Sequence, residues 1–130
     1  MGTETKSVVR TERAPAPFQG APYSQAIQAG GFVFVSGQLG LKLDDAEIAG
    51  SIAEQTEQIF ANLKAILEEA GTALERLVKT TVFLTDLGDF AGMNEVYARH
   101  VGDMPPARAT VEVAALPSGA KVEIEAIAQI

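Results

Sequence analysis

Residues 51–85 read SIAEQTEQIFANLKAILEEAGTALERLVKTTVFLT, and the two periodicities inside this stretch decide the fold. From Ser51 to Ala70, the apolar residues Ile59, Phe60, Leu63, Ile66, Leu67 and Ala70 return at helical intervals, so they lie along one side of a helix. Ser51 and Glu54 have the spacing of a capping box, in which a hydroxyl and a carboxylate satisfy the first free amide groups. Gly71 can close the helix as a left-handed cap. From Arg76 to Thr85 the period drops to two. Val78, Thr80, Val82 and Leu84 then share one face of a strand and Lys79, Thr81, Phe83 and Thr85 the other, with both faces at least partly covered.

Working toward the N-terminus, Ala26–Ala29 and Phe32–Gly37 flank Gly30-Gly31 and read as a β-hairpin. Ser7 to Thr11 reads as a short strand, stopped by Ala14-Pro15-Ala16-Pro17, where a functional loop is expected to start. Toward the C-terminus, a second helix is expected from near Asp86 to about His100, with Phe90, Met93, Val96, Tyr97 and Val101 on one side, until Pro105-Pro106 breaks the pattern. Two strands follow, Ala107–Ala115 and Lys121–Ile130. The order ββ, α, β, α, ββ predicts an α+β two-layer sandwich, a mixed sheet with both helices on its apolar face. The acidic stretch Leu39–Gly50 reads as a solvated loop with little chemistry.

The 130 residues, 47% of them hydrophobic, suffice for one domain over 1–130, with 1–13 as an N-terminal arm. Lys and Arg total 10 against 17 Asp and Glu, and the net charge of −7 repels phosphate backbones and anionic membranes. No nucleic-acid or membrane partner is therefore expected. The chain has no cysteine, which removes thiolate chemistry and Cys-type zinc sites, and the one histidine, His100, reads as a solvated residue near a helix C-terminus. The polar start lacks the apolar core of a signal peptide, and no stretch approaches the ~18 apolar residues of a membrane span, so a cytoplasmic setting is expected.

The strongest local constellation is Pro106-Ala107-Arg108-Ala109-Thr110 with Lys121-Val122-Glu123-Ile124-Glu125. On the alternating pattern, these strands are expected to turn a guanidinium and carboxylates to the same side. By itself this reads as a cross-strand ion pair on the open face of a half-buried sheet.

A longer set of motifs changes the weighing. Ala21-Pro22-Tyr23-Ser24-Gln25-Ala26, Val35-Ser36-Gly37-Gln38, Val78-Lys79-Thr80-Thr81-Val82-Phe83-Leu84, Asp89-Phe90, Met93-Asn94, Pro106-Ala107-Arg108 and Val122-Glu123-Ile124-Glu125-Ala126 follow one another in family order from about Ala14 onward. Together they resemble the RidA/YjgF family of reactive intermediate deaminases. The resemblance implies a chorismate-mutase-like fold, a homotrimer with ligand clefts between subunits, and hydrolysis of 2-imino and enamine acids to 2-keto acids and ammonia without cofactor or metal. It implies that Arg108 holds the substrate carboxylate, Glu123 the attacking water, and that Tyr23 closes over the ligand. Ser36, Gly37 and Asn94 match pocket positions. Thr110 stands where many members carry cysteine, so its backbone carbonyl is the useful group and thiol roles are in doubt. The resemblance leaves open 2-aminomuconate-type substrates, a keto-acid-binding module without turnover, and the ribonuclease activity reported for some relatives, which the acidic balance disfavours.

Overall fold

In the computed structural model, which describes residues 5–43 and 47–130, the capping box forms as its spacing requires. Ser51 Oγ accepts the Glu54 N–H at 3.1 Å while Glu54 Oε1 accepts the Ser51 N–H at 3.0 Å. Helix α1 (Ile52–Glu69) runs from this cap, and Gly71, with φ of +84°, follows its end. Ile59, Phe60, Leu63, Ile66 and Leu67 are all fully buried along its inner side.

The strands are β1 (Ser7–Val9), β2 (Ala26–Ala29), β3 (Phe32–Leu39), β4 (Leu77–Leu84), β5 (Ala107–Glu112) and β6 (Val122–Gln129). They form one six-stranded sheet in the order β1-β2-β3-β6-β4-β5. Only β4 and β5 run parallel; such a pair needs a crossover, which helix α2 (Phe90–Val101) supplies. Val33, Val35, Val82, Leu84, Val122, Ile124, Ala126 and Ala128 form a buried face, and α1 and α2 cover it with Phe60, Leu63, Met93 and Tyr97. This is the α+β two-layer arrangement that the element order predicts.

Four local expectations change. The register shifts between Leu77 and Lys79, so Leu77 takes the buried position opposite Ala128 and Val78 is left exposed. A turn at Leu87–Asp89, capped by Asp86 Oδ1 accepting the Gly88 N–H at 2.7 Å, delays the start of α2. The outer strands end early, β1 at Val9 and β5 at Glu112. His100 is not simply solvated: its ring stacks on Phe60, centroids 4.6 Å apart, and Nε2 meets Glu57 Oε1, which clasps α2 to α1. That hydrogen bond, together with the nearby charges of His100 and Arg99, holds the Glu57 carboxyl below the usual carboxylate range.

The expected N-terminal arm lies outside the described residues over Met1–Glu4, as do Asp44–Ala46 of the acidic loop. Among the described residues, no helix is long and apolar enough to cross a membrane.

Candidate active site

Strand β3 carries the first irregularity that matters chemically. Val35 pairs with Ala126 and Gln38 with Ile124, so Ser36 and Gly37 together oppose Glu125 in a bulge. Ser36 Oγ donates to the Ser24 carbonyl at 2.6 Å and its N–H donates to the Gln25 carbonyl at 2.9 Å, which ties the bulge to the chain entering β2. A side chain at Gly37 would overlap the Glu123 carboxylate, so only glycine lets that carboxylate lie across the bulge.

Tyr23, Ser36, Gly37 and Glu123 line a cavity of about 460 Å³, with Phe18, Leu39, Leu41 and Pro117 among its apolar walls. The Tyr23 hydroxyl accepts the Phe18 N–H at 2.6 Å, which leaves its own proton for another acceptor. Buried Gln25 fixes the proline-rich wall: Oε1 accepts the Thr11 N–H at 2.7 Å, while Nε2 donates to the carbonyls of Thr11, Ala14 and Pro15 at 2.9–3.2 Å. Burial in the cavity pushes the Glu123 carboxyl above the usual carboxylate range, and the charge of Glu125 adds to the rise.

Arg108 is elsewhere. The expectation that Arg108 and Glu123 face the same way fails because β5 and β6 are not neighbours; β4 lies between them. Arg108 registers with Thr80, which registers with buried Ala126, so Arg108 and Thr110 point to the helix side. Glu123 and Glu125 register with Phe83 and Thr81 and point to the other. The Arg108 guanidinium stands 4.7 Å from the ring centroid of Tyr97 and 5.5 Å from that of Phe90. Asn94 lies between those aromatics on the same side of α2 and does not line the cavity.

Strand β5 is also the sheet edge. The Val113 N–H donates to the Leu84 carbonyl at 2.8 Å. Peptide groups alternate in direction along a strand, so the odd-numbered groups of β5 turn to β4 while the carbonyls of Arg108 and Thr110 turn outward. The candidate residues thus form two groups: Tyr23, Ser36, Gly37 and Glu123 around the cavity, and Asn94, Arg108 and Thr110 at the β5 edge.

Leu39 and Leu41, which read in the sequence as part of a solvated loop with little chemistry, line the cavity. Asn62 Nδ2, on the inner side of α1, donates to both of their carbonyls at 3.2 Å, and Gln55 Nε2 donates to the Gly50 carbonyl at 3.1 Å. The available signal was these two amides standing at helical spacing among the apolar residues of α1, since a buried amide needs partners to hold.

Comparison with known proteins agrees with the mixed sheet and its two helices. A family profile described as Endoribonuclease L-PSP matches residues 11–130. The chain is 48% identical to Reactive Intermediate Deaminase A, chloroplastic, of Arabidopsis thaliana, over 96% of this chain and 66% of that one. The crystal structure of RidA from an Antarctic Psychrobacter superposes with a TM-score of 0.91 at 47% identity, covering 95% of this chain and 99% of that one. That of Escherichia coli TdcF with bound serine superposes at 0.89 and 40%, covering 95% and 98%. A six-stranded mixed sheet with two helices on one face puts the chain in the class of small α+β two-layer proteins. Within that class, the chain belongs to the RidA/YjgF family, also called L-PSP or RutC.

Proposed function

We propose that this protein is a homotrimeric deaminase that hydrolyses 2-imino acids and their enamine tautomers to 2-keto acids and ammonia, with 2-iminopropanoate and 2-iminobutanoate as substrates. The division of the candidate residues between the two sides of the sheet carries this reading. One chain has a carboxylate poised as a base on one side and an arginine fit to take an anion on the other, and neighbouring copies around a closed axis can bring the two together. The named activity of the Arabidopsis relative supports the reaction, and serine bound to the E. coli relative supports a ligand of amino-acid size.

The chemistry follows from the groups. Arg108 takes the substrate carboxylate with two parallel charge-assisted hydrogen bonds. Asn94, the Thr110 carbonyl, Ser36 and the Gly37 backbone orient the rest. An enamine first takes a proton at C3 to become the iminium. Water then adds to C2 while Glu123 of the partner subunit takes one of its protons, and the C=N electron pair moves to nitrogen. Glu123 returns the proton to nitrogen, the C–N bond breaks as ammonia leaves, and the remaining hydroxyl gives up its proton to leave the keto acid. A carboxyl held above its usual range is a stronger base for this task than a solvated one. Tyr23, whose hydroxyl already accepts from Phe18, donates its proton toward the ligand.

The test generates 2-iminobutanoate in place with an amino-acid oxidase and follows its decay. With substrate well below KM, wild-type protein accelerates it at least about a hundredfold more than Arg108→Ala or Glu123→Gln does. Unfolding and refolding the two impaired variants together restores about a quarter of wild-type activity, since that share of sites then pairs an intact Arg108 with an intact Glu123 of the partner subunit. No recovery sinks the shared site. A second reading, a keto-acid-binding module without turnover, is favoured by the serine in the E. coli relative. It takes over if calorimetry detects 2-oxobutanoate binding and the imine decays no faster with protein than without.

A further inference from the structure

The Arg108 guanidinium makes no hydrogen bond and no ion pair among the described residues; two aromatic rings, those of Phe90 and Tyr97, stand against it. The Tyr97 ring, 4.7 Å away, is itself fixed: it is buried, its hydroxyl shares a 2.6 Å hydrogen bond with fully buried Thr80, and it packs edge-on against Phe60. Thr80 is also the strand neighbour of Arg108 across β4 and β5, so one residue sets both the height of the arginine and the place of the ring. Phe90, at the first position of α2 and 42% exposed, supplies the second ring at 5.5 Å.

The choice of aromatic over acidic neighbours has a chemical consequence. A carboxylate beside Arg108 would occupy its N–H groups and cancel its charge. A π face attracts the cation through the ring quadrupole and needs none of the five N–H donors. We infer that Phe90 and Tyr97 are positioning residues, an aromatic cradle that holds Arg108 in place with its donors unpaired for a substrate carboxylate, and that the Thr80 hydroxyl sets the cradle by anchoring Tyr97. The inference rests on the reading above, in which Arg108 captures that carboxylate. It adds a specificity: the edge site selects an anionic headgroup by keeping an arginine fixed yet unneutralised.

Phe90→Leu is the first variant, because its exposure makes misfolding an unimportant outcome, checked by thermal melting. KM for 2-iminobutanoate rises about three- to tenfold with kcat changing far less, the loss expected for one cation–π contact. Phe90→Tyr, which keeps the ring, restores KM. In the Arg108→Ala background, Phe90→Leu adds less than twofold. Tyr97→Phe, which keeps the ring and drops its tether, raises KM by less than Phe90→Leu does.

A readout without turnover separates this inference from the deaminase reading. The Arg108 Nε–H proton resonance lies upfield in wild type through the ring currents, and Phe90→Leu moves it toward the position of a solvated arginine. If wild type fails to deaminate but this shift occurs and Phe90→Leu weakens 2-oxobutanoate binding severalfold, the cradle stands and the deaminase reading falls. If imine decay is accelerated normally by Phe90→Leu at unchanged KM, or if only kcat and melting temperature fall, the cradle is overturned.

Discussion

The wall of the cavity beside β3 and the arginine at the edge beside β5 are held in opposite ways. Around the cavity, hydrogen bonds fix the wall: Gln25 grips the proline-rich segment, Ser36 grips Ser24, and Tyr23 accepts from Phe18. At the edge, Arg108 is held by ring faces and its donors are unused. A group that must move a proton benefits from a rigid, partly dehydrated setting that shifts its affinity for that proton. A group that must catch an anion benefits from remaining charged and open. On the proposed function, bond-making belongs to the cavity and capture to the edge.

The sharpest way to break this comparison is to remove each charge and ask which kinetic constant responds. Glu123→Gln keeps the shape and loses the base, so kcat falls by roughly 10²–10⁴ with KM little changed, read from imine decay at saturating substrate. Arg108→Ala acts on the other constant: kcat/KM falls by roughly 10²–10³, mainly through KM, the loss of two charge-assisted hydrogen bonds. Equal effects of both variants on kcat alone would erase the division of labour.

Gln25→Leu tests whether the cavity wall is pre-organised. It strands the Thr11 N–H and the carbonyls that the amide holds, and costs about 2–4 kcal/mol in denaturant unfolding. An unchanged midpoint would mean that the wall stands without its anchor.

The smallest effects compare two carboxyls whose proton affinities shift in opposite directions. Glu123 is raised in the folded state, so it adds stability below the usual carboxylate range and loses that contribution as pH rises through its folded value. Glu123→Gln is therefore more stable than wild type at pH 7, and the gap closes as pH falls toward about 4. Glu57 is lowered by His100, so its contribution is present at neutral pH and lost in acid. Glu57→Gln is less stable at pH 7, by under ~1 kcal/mol because the carboxylate is about half exposed, and again the gap closes in acid. Parallel unfolding curves at pH 7 and pH 4 show whether the two variants deviate from wild type with opposite signs.

The legibility of the two regions differs for a physical reason. The bulge region is local: Tyr23, Ser36 and Gly37 lie within one hairpin and its approach, so motif order alone drew attention to them. The edge region is not. That Arg108 and Glu123 face opposite ways depends on β4 lying between β5 and β6, and one intervening strand with its own register is invisible to the alternation of either strand alone. The aromatic cradle was partly in view, since Phe90 and Tyr97 stood on the apolar side of α2. Their approach to a guanidinium came only from docking α2 beside β5.

What the sequence determined by itself is therefore what periodicity, caps and turns specify over short distances: the helix that follows Ser51, the hairpin at Gly30-Gly31, the strands, the α+β class and the family. The tertiary structure alone decided which strand neighbours which, the bulged registers at Ser36-Gly37 and Val78, the grip of Asn62 and Gln55 on a loop that reads as plain solvent-facing chain, and the division of the candidate site across the sheet. Side-chain periodicity is a property of one segment, whereas strand order and register are settled by which apolar faces can be buried together, a competition among all segments at once.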